Sequence, residues 1–169
     1  MESVAGQTVF RAGNTDFRWE DVIAAAREWG EWPGIEERAL ERLACLAAET
    51  KESTLDQATT KQAAKDFRYE RDLVTADEMK EWLAKWSLSN EDWTAYIQGS
   101  LLRISRRQSL PSLLDGFAPE KQQLERAVWA EAVCSGDLER LARRLAERVA
   151  VHEKMQTGSD PELASPEEG

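Results

Sequence analysis

The side chains that most often carry out chemistry are sparse in this sequence. His152 is the only histidine, and it stands beside Glu153 and Lys154 in a charged helical pattern, where we expect a solvated side chain. A histidine-based triad would have to use it, and no second histidine or cysteine cluster is available for a zinc site. Neither a phosphate-binding glycine motif nor a G-x-S-x-G elbow occurs. We therefore expect no catalytic residue, no metal site and no cofactor.

Carboxylates are abundant, with 32 Asp and Glu against 22 Lys and Arg, for a formal net charge of −10. Residues such as Glu36, Glu37, Glu41 and Glu70 cannot be told apart from the others as candidate acids, bases or ligands. Helical bundles that hold two metal ions use Glu-x-x-His motifs, and none is present. The acidic balance also argues against a general nucleic-acid binder, which needs a basic surface. The composition thus favours a protein that is not an enzyme and does not bind nucleic acid.

One basic stripe stands out against this acidic background. Arg140, Arg144 and Arg148 recur every four residues, so they share one face of a helix. Neighbouring acidic residues, including Glu139 and Glu147, favour a solvated face of ion pairs. A local anion or nucleic-acid site, formed by this stripe together with Arg103, Arg106 and Arg107, is the less favoured alternative, because these arginines have acidic neighbours and no interleaved aromatic residues.

The chain is expected to be cytoplasmic and free of membrane contact. No apolar run approaches the roughly 18 residues that a membrane span needs, and residues 1–6 lack the features of a secretory signal. Cys45 and Cys134 lie in helical apolar patterns without a C-x-x-C motif. We therefore predict two buried free thiols.

Apolar residues recur at helical spacing along most of the chain, and strand signals are nearly absent. The predicted fold is all-α, an irregular helical bundle of about six to seven helices. The predicted organisation is a flexible N-terminal arm at 1–14, a single helical domain at 15–156 and a disordered acidic tail at 157–169. The first helix is expected to begin at Thr15 or Asp16.

Two helix-entry motifs are the most informative local features. Residues 75–78 read T-A-D-E, a capping box, and residues 89–92 read S-N-E-D, a similar start 14 residues later. A tight connection at residues 86–88 is expected to separate a short helix from a longer one. A further capping box is predicted from Ser53 to Asp56.

Tryptophan is frequent, with 7 in 169 residues, and most of these indoles fall at predicted helix ends. One interpretation is that each is a core-edge residue whose N–H donates to a carbonyl. The other is that some line an apolar groove for a peptide. The second interpretation predicts a peptide-binding groove around one helix corner, formed by Met79, Trp82, Leu83, Trp86, Trp93 and Tyr96.

A family resemblance supports the groove. Residues 64–83 (AKDFRYERDLVTADEMKEWL), 88–93 (LSNEDW) and 101–103 (LLR) resemble the helical N-terminal domain of SurA-type periplasmic chaperones and related parvulin foldases. The C-terminal peptide-binding domain of trigger factor is similar in fold. The resemblance covers residues 54–107, and it implies a helical bundle that binds unfolded or peptide segments without a cofactor. The parvulin isomerase domain, with its paired histidines, is missing, so prolyl isomerisation is not implied.

Two functions follow as expectations. The first is a chaperone-like module that holds an extended or helical segment of an unfolded or precursor polypeptide in the aromatic groove. A precursor peptide that is modified by partner enzymes is one example of such a client. The alternative is an acidic, non-enzymatic scaffold or regulatory protein that binds a dedicated partner protein. Binding through exposed charges weakens as salt is added, whereas apolar client binding persists, so salt dependence separates the two.

Overall fold

A computed structural model describes residues 4–49 and 55–158, with side chains to residue 156. The all-α prediction is confirmed, since helices form about three quarters of the described chain, with eight α-helices in place of the predicted six to seven and one two-stranded sheet. In chain order the elements are a 3₁₀ turn (Val4–Gly6), β1 (Thr8–Ala12), β2 (Thr15–Arg18), α1 (Trp19–Glu28), α2 (Trp32–Glu49), α3 (Gln57–Glu70), α4 (Ala76–Lys85), α5 (Asn90–Ser105), a 3₁₀ turn (Arg107–Ser109), α6 (Leu110–Leu114), α7 (Lys121–Cys134) and α8 (Asp137–Gly158).

The N-terminal segment corrects the sequence-based expectation. Its described part is not a loose arm, because β1 and β2 pair in an antiparallel hairpin, and α1 begins at Trp19 rather than at Thr15 or Asp16. Gly13 has a φ of +61° at the first position of the two-residue loop, as type II′ hairpin turns require. The rings of Phe10 and Phe17 stack across the strands, with centroids 4.7 Å apart. β1 also packs against α8, which ties the hairpin to the helical body.

The two predicted helix entries are confirmed. Thr75 Oγ1 accepts a hydrogen bond from the Glu78 N–H at 3.1 Å, and Ser89 Oγ accepts one from the Asp92 N–H at 3.0 Å. In both motifs the third-position carboxylate accepts in return from the backbone N–H of the capping residue. The connection between them turns at Ser87, whose φ is +52°. For the third predicted box, Asp56 caps α3, whereas Ser53 lies outside the described residues.

The core is built around α2, which packs against α5, α6 and α7. α5 approaches α2 closely at Gly99, where an added Cβ would lie only 2.9 Å from the Cβ of Arg42. α8 closes the other side by packing on α1 and α7. The side chains of Ile35, Leu102 and Leu138 are completely or almost completely buried between these helices. The mutual packing of α2, α5 and α7 therefore determines the relative positions of these three helices and of the side chains on their outer faces.

Three further expectations concern the cysteines, the membrane and the tail. Cys45 and Cys134 are buried free thiols, as predicted. None of the helices described in residues 4–49 and 55–158 combines the length and apolar character of a membrane span. α8 continues to Gly158, and the rest of the predicted acidic tail, residues 159–169, lies outside the described residues.

Candidate functional site

The predicted aromatic groove is a packed cluster. Phe67 of α3, which the sequence analysis did not include, lies at its centre, with ring centroids 5.6 Å from Trp82, 5.8 Å from Trp93 and 6.2 Å from Tyr96. We call these four residues the aromatic corner. Trp86 does not join it directly, because its ring packs against Trp19 and Trp129, with centroids 5.1 and 6.5 Å away.

Burial decides what the six predicted residues can contact. Each of Met79, Leu83, Trp86 and Trp93 is less than one tenth exposed, and all four belong to the hydrophobic core. Trp82 and Tyr96 are half-buried at its edge. Four of the six residues predicted to line an open groove are therefore packed inside the core, and only Trp82 and Tyr96 reach the surface. The apolar side chains that would meet a client are already packed against one another.

Some of the indole N–H groups donate a hydrogen bond to a backbone carbonyl, and others have no partner among the described residues. Trp129 Nε1 donates to the backbone oxygen of Trp86 at 2.7 Å, as expected for a core-edge tryptophan. Trp86 Nε1 and Trp93 Nε1 are buried, and neither has a hydrogen-bond partner among the described residues. Trp82 keeps some access to solvent and lines a cleft of about 460 Å³ with Arg71 and Glu139.

An open groove lies on the other side of α5. Its central cleft, of about 800 Å³, is bounded by α2, α5 and the N-terminal half of α7. A cleft of about 390 Å³ adjoins it and shares Asp92, Gln122 and Arg126 with it. A third cleft, of about 530 Å³, adjoins at Leu46 and extends to α3. Neighbouring clefts in this row share lining residues, and we call the row of three adjoining clefts the α5 groove.

The floor of the α5 groove is apolar, with leucines and alanines side by side. Its accessible residues are Leu43, Leu46, Ala47 and Ala95, whereas Ala130 of α7 is only 2% exposed. Alanines at helix positions that face a neighbouring helix leave space that a larger side chain would fill. The groove is therefore open where the aromatic corner is closed, because of the sizes of the residues on the two faces of α5.

The rim of the α5 groove is acidic. The exposed residues Glu91, Glu120 and Glu125 line it, and within the described chain none of them forms an ion pair. Arg126 on α7 reaches Asp92 on α5, with Nη2 2.7 Å from Oδ1. Both residues line the central cleft and the 390 Å³ cleft, so this ion pair crosses the groove where the two clefts meet.

A buried ionic network supports the floor. Arg42 and Glu131 are only 2% and 3% exposed, and Arg42 Nε lies 2.8 Å from Glu131 Oε2. Arg42 also donates to the backbone oxygen of Ala127 at 3.1 Å, and its guanidinium lies 4.7 Å from the centre of the Tyr96 ring. Arg38 binds the second Glu131 oxygen at 2.6 Å. This network ties α2 to α7 directly beneath the groove.

Burial governs the ionisation of the groups around this network. Desolvation lowers the pKa of the Arg42 guanidinium, and the negative charge of Glu131 opposes that shift. Burial raises the pKa of the Tyr96 hydroxyl, and it raises the pKa of the Cys134 thiol to about 12. Cys134 therefore stays protonated at neutral pH, and a protonated thiol is a poor nucleophile.

The arginine stripe on α8 is solvated, and its ion pairs form mainly with Glu31, in the connection between α1 and α2. Arg140 and Arg144 reach Glu31, at 3.3 and 2.9 Å, rather than Glu139 or Glu147. Arg144 and Arg148 also lie over the Trp29 ring, at 4.4 and 4.9 Å from its centre. The stripe thus attaches α8 to the end of α1.

The described residues offer surface for binding and few groups for chemistry. Within them, no group of three or more His, Cys, Asp or Glu side chains gathers where it could hold a metal ion. The described lining of the α5 groove contains carboxylates, amides, hydroxyls and basic groups, and neither a cysteine nor the histidine. Its geometry suits recognition of a chain segment through apolar and charged contacts.

Comparison with protein-family models, curated proteins and solved structures finds no match to the chain. The resemblance to SurA-type chaperones therefore stays a prediction from the sequence. The α5 groove was missed at the sequence level, because its floor carries alanines and leucines that are typical of any helical core. The one available signal was the small size of Ala95 on the face of α5 opposite Trp93 and Tyr96.

Proposed function

We propose that the protein is a non-enzymatic peptide-binding module that holds a segment of a client polypeptide in the α5 groove. The observation that carries this proposal is the row of adjoining open clefts, with apolar and charged lining residues, along the face of α5 opposite the packed aromatic corner. A central cleft of about 800 Å³ falls within the size range of binding sites, about 300 to 1,000 Å³.

The dimensions suit a short segment. Asp92 and Gln98 are the partly exposed α5 residues that line the groove towards its two ends, and at about 1.5 Å per residue they are separated by about 9 Å along α5. That length accommodates about six residues of a client helix or about three residues of an extended chain. Helix-in-groove binding, with apolar side chains presented on one face, is therefore the recognition mode that we favour.

The energetics require several anchors. One client side chain that buries about 100 Å² of apolar surface contributes about 2.5 kcal/mol before ordering costs. Micromolar affinity corresponds to about 8 kcal/mol, and association itself costs several kcal/mol. The client must therefore place at least three or four apolar side chains on the floor. Three adjoining clefts offer more room for that number than any one of them alone.

This function keeps the chaperone-like role expected from the sequence and moves it to different residues. The client remains an unfolded or precursor polypeptide, and a cytoplasmic location remains part of the proposal. Neither a cofactor nor covalent chemistry is needed for it.

A groove-filling substitution tests the proposal. Ala95→Trp puts a large ring on the floor, and Ala84→Trp makes the same change at an exposed position of α4. The probes are fluorescently labelled amphipathic peptides of leucine with lysine, or of leucine with glutamine, followed by fluorescence anisotropy. We expect saturable binding that Ala95→Trp weakens at least tenfold and Ala84→Trp leaves unchanged. Binding that is the same in both variants would place the site elsewhere, and failure of both peptides to bind would refute the proposal.

The alternative is a scaffold that binds a folded, dedicated partner protein through acidic surface. The exposed carboxylates of Glu91, Glu120 and Glu125, which form no ion pair within the described residues, favour it. Contacts between exposed charges fade as salt rises towards 1 M, where the Debye length is about 3 Å. Peptide binding that persists at 1 M salt supports the apolar groove, and complete loss supports the scaffold.

A further inference from the structure

We infer that the segment bound in the α5 groove is basic and amphipathic, and that one of its Lys or Arg side chains takes the place of Arg126 on Asp92. This inference rests on the proposed function, because it concerns the occupant of the same groove. It adds the sign of the client's charge and names Asp92 as the residue that binds the charged side chain.

The two partners of this ion pair are held very differently. The side chain of Asp92 is 17% exposed, whereas that of Arg126 is 62% exposed. Asp92 Oδ2 accepts from the backbone N–H of Ser89 at 3.1 Å, which fixes the carboxylate at the start of α5. Asp92 Oδ1 accepts from Arg126 at 2.7 Å. The carboxylate is thus preorganised, and its second oxygen is occupied by a side chain that lies mostly in solvent.

Exchange of one cation for another at Oδ1 is therefore easy. Exposed ion pairs contribute little to stability, because water and salt screen them. A client cation that arrives with apolar neighbours on the groove floor gains burial that Arg126 does not have. In the absence of a client, Arg126 binds Asp92 Oδ1, and a client Lys or Arg side chain binds the same oxygen more favourably.

The surrounding charge favours a basic client. Glu91, Glu120 and Glu125 stand near this position, and none of them forms an ion pair within the described residues. Among the basic groups of the groove, Arg42 is buried against Glu131, and Lys61 lies in the cleft towards α3. Complementary charge raises association rates and excludes partners of the wrong sign. The chain's own residues 157–169 carry four carboxylates and no Lys or Arg, so they have the wrong charge for this groove.

Displacement of Arg126 also changes the shape of the site. Its ion pair with Asp92 crosses the groove between the 390 Å³ cleft and the central cleft. When Arg126 leaves, the two clefts join on the side lined by Trp129 and Leu88. A basic residue in the client therefore opens the space in which its apolar neighbours bind.

The experiment compares three labelled peptides of equal length and identical leucine pattern, with Lys, Gln or Glu at the polar positions. At about 0.05 M salt, where surface charges are weakly screened, we expect affinities in the order Lys, Gln, Glu. Asp92→Asn should weaken the Lys peptide about tenfold, and Arg126→Gln should strengthen it several-fold. Asp92→Asn should leave the Gln peptide within about twofold, whereas Arg126→Gln, which also opens the space between the two clefts, should strengthen the Gln peptide less than the Lys peptide.

The chain offers a matched control for the acidic position. Glu78 occupies the same third position in the entry box of α4, and it does not line the α5 groove. Glu78→Gln therefore removes a capping carboxylate charge without touching the proposed site. Asp92→Asn keeps an oxygen that can accept from Ser89, so the start of α5 is preserved. Circular dichroism checks that both variants keep their helix content.

The outcomes separate the inference from the function on which it rests. Equal affinity for the three peptides, with binding still sensitive to Ala95→Trp, would keep the groove and overturn its preference for basic segments. An unchanged Lys-peptide affinity in Arg126→Gln would overturn the displacement. A similar loss in Glu78→Gln and Asp92→Asn would assign the effect to overall charge and also overturn the inference. If none of the peptides binds, the proposed function itself fails.

Discussion

Two faces of α5 differ in what they carry. One face contributes Trp93 and Tyr96 to the aromatic corner, where Phe67 fills the space between the rings. The other face contributes Asp92 and Ala95 to the α5 groove, whose central cleft stays open between α2 and α7. The aromatic residues looked like a binding surface in the sequence, yet they form the core, and the inconspicuous alanine faces the open groove.

The two faces differ because a large apolar side chain is more strongly driven to become buried than a small one. A large aromatic side chain gains the most free energy from burial, so a helical fold closes around it when another element is within reach. α3 supplies Phe67 for that purpose. An alanine gains little from being covered, so a surface of alanines with leucines at its edges remains as a depression. A groove therefore forms where a helix face carries small side chains in place of large ones.

The largest effect is expected when a ring is removed from the aromatic corner. Trp93→Ala removes a buried ring and should lower the free energy of unfolding by about 3 to 5 kcal/mol, measured by urea denaturation. Trp93→Phe is the control, because it keeps an aromatic ring and removes an indole N–H that has no partner in the described residues. It should cost clearly less. Should Trp93→Ala instead keep full stability and lose peptide binding, the corner would be the site after all.

A second large effect is expected beneath the groove floor. Glu131→Gln leaves Arg42 buried without its counter-charge, so the free energy of unfolding should fall by about 3 to 5 kcal/mol. The double variant Arg42→Met, Glu131→Leu should recover much of that loss, because apolar replacement of a buried ion pair is often neutral. Thermal or urea denaturation measures both. Equal losses in the single and double variants would show that the network stabilises the fold through its packing rather than its charges.

The close contact between α2 and α5 gives a smaller effect that links the two faces. Gly99→Val puts a branched side chain where even a Cβ would lie 2.9 Å from Arg42 Cβ, so α5 must move away from α2. Overpacking of this kind costs about 1 to 3 kcal/mol. Because Arg42 also lines the groove, peptide affinity should fall together with stability. Gly34→Ala is the control, since its added Cβ would meet only the Arg38 guanidinium, at 3.9 Å, and both readouts should stay nearly unchanged.

Local features of this fold were predictable, and the placement of its surfaces was not. The starts of α4 and α5 follow from short-range motifs, Thr75 with Glu78 and Ser89 with Asp92, whose hydrogen bonds form within four residues. The helical period around Trp93 indicates that one face of α5 is apolar. It does not reveal that Phe67, far away in the sequence, covers that face. Likewise, the hairpin depends on the pairing of β1 with β2 and on its packing against α8, and the turn signal at Gly13 alone did not reveal it.

The smallest expected effect lies at the entry to α4, which has the same motif as the entry to α5 but stands away from the groove. Hydrogen bonds from the backbone N–H groups of Thr75 and Val74 hold the pKa of Glu78 below its usual value. A carboxylate with a lowered pKa stabilises the folded state above its unfolded pKa, near 4.3, and that contribution is lost as the pH falls through the folded pKa. An NMR titration of the Glu78 side chain should therefore have its midpoint below about 4.3. Peptide binding should be the same in Glu78→Gln as in the parent protein at neutral pH, because this carboxylate caps a helix and touches no client. A midpoint at or above the reference value would mean that the cap is not held in solution, and Glu78 would then no longer be a fair match for the fixed carboxylate of Asp92.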